Sequence, residues 1–386
     1  MRSDIRVEKP HSLLKRVLLV LALACLAGRS WARELELDFI DVGQGDGAVL
    51  ISPGGEVVLF DDGRYKACDK PLRYLRRLGI DHVDYLIVSH YHSDHIGCTK
   101  EVLKEFPLRK AAYDRGGSYP GAVYADYVKA VGALRHTGTK GQVITLDAGA
   151  PKPVTIQVTA LDGNGVQTTN ENDLSLDAVI HYGKFDAELG GDLSGVATAD
   201  YLDIESGVAP LVGQVEVYDA HHHCSRYSTN GTWLDLTRPK VGIVSAGDGN
   251  TYQHPTAECV ERLHQAGVQL YWTERGNGIE PEVGLDSVCG NIAVTVGPAD
   301  NFFSLACGNA RPQQFPFWGS EPVPANGAPE SATSPAVQYA WSSQSRIYHY
   351  AQCADVRRIK AENLQRGETA PEGRRLHEGC PRAQHD

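Results

Sequence analysis

No stretch of the chain, not even the apolar run near its start, is long enough to cross a bilayer comfortably. A membrane helix needs about 20 consecutive apolar residues, and Val17 to Gly28 falls short of that. Internal repeats are lacking too, which excludes a solenoid or a propeller. There is no surplus of positive charge: 37 Lys and Arg stand against 48 Asp and Glu, for a net charge of -11. That balance argues against broad electrostatic capture of nucleic acid, while leaving room for a local basic groove or a metal pair to hold phosphate. No setting of a Ser or Cys marks a side-chain nucleophile.

The beginning of the chain reads as an export signal over residues 1–32. Lys15 and Arg16 precede the apolar run, and Ser30-Trp31-Ala32 offers small residues where a signal peptidase cuts. A retained anchor is the competing reading. Export predicts a secreted or periplasmic protein with no stable membrane association once the signal is gone. Removal takes Cys25 away and leaves eight of the nine cysteines, an even number in an oxidising compartment, so disulfides are the default. Proximity in the chain suggests Cys289 with Cys307 and Cys353 with Cys380; metal ligation by some cysteines is the minority reading.

From Glu34 the pattern alternates as a half-buried strand does, and AVLIS and EVVLF follow around the turn Pro53-Gly54-Gly55. Pro71 to Leu78 has helical spacing and ends at Gly79, a natural cap. Tyr85-Leu86-Ile87-Val88 is a continuous apolar run, suited to a strand covered on both faces. Helices around 121–136 and 255–266 alternate with strands near 142–147, 153–161, 175–182, 213–218, 240–245, 268–273, 291–297 and 302–306. This mixture predicts a layered α/β domain over 33–308. A Pro-, Ala- and Ser-rich linker over 309–345 and a small Cys- and His-containing module over 346–386 follow.

The strongest signal is SHYHSDH, Ser89 to His95. It sets three imidazoles and a carboxylate directly after a buried strand, where a loop can turn alternate side chains inward. His90 and His92 can then share one metal, while Asp94 and His95 reach a second. Imidazole and carboxylate suit Zn²⁺, in one or two ions, with Mn²⁺ as the alternative.

SHYHSDH resembles the HxHxDH motif of the metallo-β-lactamase superfamily. The surrounding text resembles the branch formed by the soluble domain of the DNA-uptake protein ComEC. The shared anchors are DVGQGD at Asp41–Asp46, Asp61-Asp62-Gly63, Asn172–Ser175, Gly191-Asp192, His222-His223-Cys224-Ser225 and Tyr252–Pro255. The resemblance implies a four-layer αββα sandwich. It implies His90 and His92 on one metal, Asp94, His95 and His222 on another, and Asp192 bridging them. Asp61 would orient a ligand imidazole, Gln44 and Asp46 would line the mouth, and His223 or His254 would protonate the leaving oxygen. Asp94 and Asp192 would also hold the attacking water, whose pKa a metal lowers to about 7. Asn172 stands near where the wider superfamily has a further histidine, with His181 as an alternative ligand. Cys224 replaces a glycine, so its side chain either narrows the site or is tied away in a disulfide.

Tyr348 to Gln365, with Gly379-Cys380-Pro381, resembles the small Ada-like metal-binding module appended to some secreted nucleases. Ala383 stands where that module's last cysteine would be. His349, Cys353, Cys380 and His385 would bind zinc, or Cys353 and Cys380 would pair, and Arg357, Arg358 and Lys360 would touch phosphate. These resemblances predict an exported nuclease or phosphodiesterase acting on DNA. A hydrolase of small lactams, lactones or esters is one competing reading; a metal-containing binding protein without catalysis is the other.

Overall fold

The computed structural model describes residues 33–320, 339–345, 347–350, 363–367 and 374–376. The proposed signal peptide, Cys353, Cys380, His385 and the basic run at 357–360 lie outside the described residues.

Alternation along the strands decides the layering. In β1 (Leu35–Phe39), Leu35, Leu37 and Phe39 are buried on one face. β8 (Val154–Ala160) and β9 (Asp177–Tyr182) answer with Val154, Ile156, Val158, Ala178, Ile180 and Tyr182 in the same core. A period of two therefore puts both sets into the space between two sheets. The first sheet has nine strands. Its centre is β1, β2 (Ala48–Ile51), β3 (Val57–Phe60), β4 (Val83–Ile87) and β5 (Leu108–Asp114), in that order, with β6 (Arg135–Thr137) at one edge. The second has eight strands and includes β7 (Val143–Leu146), β8, β9, β10 (Phe185–Leu189), β11 (Val217–Asp219), β12 (Val241–Val244), β13 (Gln269–Trp272) and β14 (Asp286–Val288).

Each sheet's outer face carries helices over a core of its own. Val49, Leu59 and Leu86 pack with Leu75, Val102 and Tyr127 from helices 69–78, 99–105 and 122–131. On the far side Val179, Val244 and Leu270 pack with Val208, Trp233 and Leu263 from helices 205–212, 231–237 and 257–265. The order is helix, sheet, sheet, helix: the four-layer α/β sandwich. Helix 69–78 stops at Gly79, whose φ of 72° is the left-handed conformation that a glycine adopts without penalty.

The main unit runs past the expected boundary at 308. β15 (Ile292–Val296), β16 (Phe302–Cys307) and β17 (Gln313–Pro316) extend the first sheet beyond β1. β17 lies inside the segment expected as linker, because Phe315 and Phe317 fill the inter-sheet core and Trp318 Nε1 donates to Val215 O at 3.1 Å. The chain divides into two compact units after Glu321. Of the second, the described residues form a four-stranded sheet over Tyr339–Ser342, Ile347–Tyr350, Leu364–Gly367 and Arg375–Leu376.

Three disulfides join the described cysteines: Cys68–Cys98, Cys224–Cys259 and Cys289–Cys307. The last is the pair expected from proximity, and the second ties the Cys224 side chain away. No helix among the described residues is long and apolar enough to cross a membrane.

Candidate metal centre

β3, β4 and β5 run parallel in one sheet, and β10, β11 and β12 in the other. The loops that leave their carboxyl ends, where open α/β sheets bind ligands, meet at one edge of the sandwich. They carry Asp61, Ser89 to His95, Asp192 and His221 to Ser225. Gly191 makes the approach possible: its φ is +55°, and a Cβ there would lie 2.4 Å from the Ser89 Cβ. Gly45, with φ of +137°, does the same for the DVGQGD loop, because a Cβ would lie 2.2 Å from Asp94 O.

The centre is the buried carboxylate of Asp192, whose two oxygens face two groups of donors. Oδ2 lies 3.6 Å from His90 Nε2 and 3.7 Å from His222 Nε2. Oδ1 lies 3.3 Å from His95 Nε2 and 3.5 Å from His223 Nε2. His92 joins the first group, its Nδ1 3.0 Å from His90 Nε2. Asp94 joins the second, its Oδ2 3.6 Å from His223 Nε2.

His223 thus takes the place expected of His222, and His222 moves to the first group. His222 was expected beside Asp94 and His95, yet it stands with His90, where Asn172 Nδ2 donates to its Nε2 at 3.0 Å. His223, expected as a free proton donor, occupies the second group. The cause is backbone conformation: His222, His223 and Cys224 are left-handed, with φ of 54°, 54° and 57°, so neighbouring side chains leave the turn toward opposite groups. Left-handed backbone costs a non-glycine residue about 1–2 kcal/mol. The Cys224–Cys259 disulfide anchors one end of the turn.

A further shell aims the imidazoles. Asp61 Oδ2 takes a bond of 2.8 Å from His95 Nδ1, and its carboxylate also accepts from Ser89 N at 2.9 Å and Ser89 Oγ at 2.6 Å. Nε2 of His95 is thereby left facing Asp192. His223 Nδ1 donates to Ser245 O at 2.9 Å. Asp46 was expected at the mouth; it is buried behind the imidazoles, 3.2 Å from His223 Nδ1 and 3.6 Å from His95 Nδ1. Gln44 does line the cleft, and its Oε1 accepts from Gly247 N at 3.1 Å. Asn172 is positioned through its neighbour Glu171, which is paired with buried Arg115 at 2.5 Å and accepts from Tyr91 N at 2.9 Å. His181 lies apart, bonded to Asp186 across the hairpin of β9 and β10. Ser245 and the Arg115–Glu171 pair escape a sequence reading, since isolated residues of these types carry no spacing signal.

Electrostatics divides the histidines. Burial, then His95, holds His90 well below the ordinary imidazole range, and burial lowers His222 to about 4. Burial, then His223 and His222, lowers His254 to about 3. In His95 and His223 burial acts downward too, but Asp192 with Asp61 or Asp46 outweighs it and raises both well above 6.5. For Asp94 burial acts upward, and the bond from His223 and the charge of His95 overcome it, giving about 2.

These residues fit divalent cations. His95 Nε2, His223 Nε2, Asp192 Oδ1, His222 Nδ1 and Asn172 Oδ1 are all buried without a hydrogen-bond partner. Donor atoms of Asp46, His95, Asp192 and His223 lie within 4.8 Å of one another, as do those of His90, His92 and Asp192. Nitrogen and carboxylate donors suit zinc or manganese. Beside them opens a cleft of about 480 Å³, lined among others by Asp94, Tyr119, Tyr201, Tyr252 and His254.

Residues 40–248 match the family described as the Metallo-beta-lactamase superfamily. The chain is 24% identical over 271 residues to ComE operon protein 3 of Bacillus subtilis (strain 168), covering 64% of this chain and 33% of that protein. It is 29% identical over 235 residues to Recombination protein 2 of Haemophilus influenzae (strain ATCC 51907 / DSM 11121 / KW20 / Rd), covering 60% and 26%. Competence protein ComA of Neisseria gonorrhoeae is 26% identical over 257 residues, covering 64% and 32%. The matched stretch therefore spans a third or less of each relative.

Asp61→Ala removes the acceptor that aims His95. Loss of such a partner weakens metal binding about 10–100-fold, to be read by competition with a chromophoric chelator; unchanged affinity would refute the role. His254 supplies a pH test in metal-free protein. Neutral when folded, with a pKa of about 3, it takes a proton on unfolding below about 6.5. It therefore costs stability as pH falls from 6.5 toward 3, at up to about 1.4 kcal/mol per pH unit. His254→Gln should lose up to about 2 kcal/mol less than the parent between pH 7 and pH 5 by urea unfolding. Equal acid losses in both proteins would contradict the assignment.

Proposed function

Because the chain belongs to the metallo-β-lactamase superfamily and carries this two-sided carboxylate, we propose that it is an exported metallo-hydrolase that cleaves phosphodiester bonds in DNA. The observation that carries the reading is Asp192, each of whose oxygens faces its own set of imidazoles. His90, His92, His222 and Asp192 Oδ2 would hold one cation; Asp94, His95, His223 and Asp192 Oδ1 would hold the other. Such ions, zinc or manganese, supply Lewis acidity and lower the pKa of bound water to about 7.

The protein's own groups do the rest. Asp61, Asp46 and Ser245 O hold the Nδ1 protons of His95 and His223, which keeps both Nε2 atoms turned to the site. Asp94 lines the cleft as a carboxylate, held ionised at about 2 by His223 and His95 against the upward pull of burial. His254 is a poor acid: a pKa of about 3, set first by burial, leaves it neutral, and a cation nearby would lower it further. We assign it a positioning role, as a hydrogen-bonding group toward a phosphate oxygen, in place of the proton donation expected from the sequence.

DNA is favoured over small lactams by the walls of the cleft. Tyr252 is 62% exposed and stacks on His254 with ring centroids 5.8 Å apart. Tyr201 stacks on Tyr227 at 4.6 Å, and Tyr119 stands 5.8 Å from His92. Aromatic faces beside a reactive centre stack nucleobases, at about 1–3 kcal/mol per base. The relatives named for competence and recombination support the same substrate.

Labelled single- and double-stranded DNA, incubated with the protein plus Mn²⁺, Zn²⁺ or chelator, tests the proposal. Cleavage should need metal and vanish in Asp94→Ala while the fold persists. Cleavage of small lactams, lactones or esters, with DNA left whole by metal-loaded protein, would overturn it. Tyr252→Ala should raise KM for a single-stranded oligonucleotide about tenfold, the equivalent of 1.4 kcal/mol, with little change in kcat. An unchanged KM would remove Tyr252 from the substrate path.

A further inference from the structure

Beneath the turn that bears His222 and His223, a second set of ionisable side chains is buried and takes no part in the chemistry above. Asp177 begins β9, Glu188 lies near the end of β10, and His221 begins the turn; all three are fully buried. His221 Nδ1 lies 2.8 Å from Glu205 Oε1. Glu205 is itself fixed by the backbone N–H groups of Thr229 at 2.5 Å and Asn230 at 2.7 Å. With its Nδ1 proton given to Glu205, His221 turns the Nε2 lone pair toward Glu188 Oε1 at 3.0 Å and Asp177 Oδ2 at 3.8 Å. A lone pair facing two carboxylates is repulsive unless a proton or a cation lies among them.

Two further observations mark the same spot. Asp177 Oδ2 and Glu188 Oε2 have no hydrogen-bond partner, although leaving a buried polar atom unsatisfied costs about 1–3 kcal/mol, more when it is charged. Gly190 leaves bare the space on which the donors converge. A Cβ there would lie 2.3 Å from His221 Nε2 and 2.7 Å from both Asp177 Oδ2 and Glu188 Oε1.

We propose that Asp177, Glu188 and His221 bind a divalent cation of the zinc or manganese class, at a buried structural site separate from the cleft. Imidazole and carboxylate are the donors such ions take. Separations of 3.0 and 3.8 Å suit ligands about 2.0–2.2 Å from one ion. Glu188, with its second oxygen free, supplies a fourth donor atom by chelation. Glu205 is the carboxylate that orients the ligand imidazole. The ion would pin the first residue of the turn that presents His222 and His223. This inference does not depend on the DNA reading, and failure to cleave DNA leaves it untouched.

The test is metal content. The full chain, loaded with Zn²⁺ and freed of excess by gel filtration, is analysed by mass spectrometry of the metal beside Asp177→Asn/Glu188→Gln. The double variant should carry one ion per chain fewer than the parent. Equal metal content in a folded double variant overturns the proposal. Anomalous diffraction at the zinc edge from the unaltered protein needs no variant and decides the matter if the double variant fails to fold. A peak within coordination distance of His221 Nε2 is expected. Peaks at Asp192 with none at His221 would mean that the buried group merely shares a proton, and would overturn it.

Discussion

The burial of the Asp192 carboxylate among four imidazoles governs this molecule. Taking a charge out of water costs several kcal/mol unless its partners are held in good geometry, and here the partners repel one another. His90 and His222 lose their affinity for protons to burial, while His95 and His223 gain it from the carboxylates. Such a cluster cannot organise itself; it has to be imposed by rigid elements around it. Three hydrophobic cores, one between the sheets and one under each helical layer, supply that rigidity. The parallel strands then deliver their carboxyl-terminal loops to one edge, where the charges meet.

The most strained part of the frame is the turn from His221 to Ser225. Three consecutive left-handed residues without a glycine persist only where neighbouring structure over-determines them. At one end the Cys224–Cys259 disulfide holds the backbone to helix 257–265. At the other, His221 is sunk between Glu205 and Glu188. The strain has a structural use: it sends the imidazoles of two adjacent residues to the two oxygens of one carboxylate. Ordinary helix or strand would separate neighbouring side chains too widely for that.

How much of this is legible in the sequence follows from which signals are local. Ser89 to His95 announces a metal centre because three imidazoles and a carboxylate so close together after an apolar run seldom serve another purpose. The sandwich is readable because β1, β8 and β9 alternate cleanly. Short elements such as β10, Glu205–Val212 and Gly231–Thr237 are not, since they hold too few residues for a period to emerge and rely on tertiary packing. The order of His222 and His223 cannot be read from four successive residues His-His-His-Cys: the side each faces depends on φ, and no composition rule predicts a left-handed run lacking glycine. Asp46 is expected at the mouth because the family resemblance of the DVGQGD loop places it there. The close contact of Gly45 with Asp94 O, which draws that loop beneath the imidazoles, is a tertiary fact. β17 hides in a Pro- and Ala-rich stretch because its one buried phenylalanine, Phe315, and Phe317 just beyond it are too few to outweigh the composition around them.

Charge joins the site to its proposed substrate. A net charge of -11 disfavours a polyanion, and at the cleft the carboxylates of Asp94 and Asp192 stand against His95 and His223, whose affinity for protons is raised. On the proposed reading, two divalent ions held there would add positive charge to that edge, so attraction for phosphate and capacity for hydrolysis would arrive together. Aromatic faces at Tyr201 and Tyr252 then add affinity that needs no positive side chain. Such a protein has no need of the lysine- and arginine-rich surface by which nucleic-acid binders are usually recognised. On the proposed reading, the acidic composition that counts against DNA is offset locally, at the one edge where cations would sit.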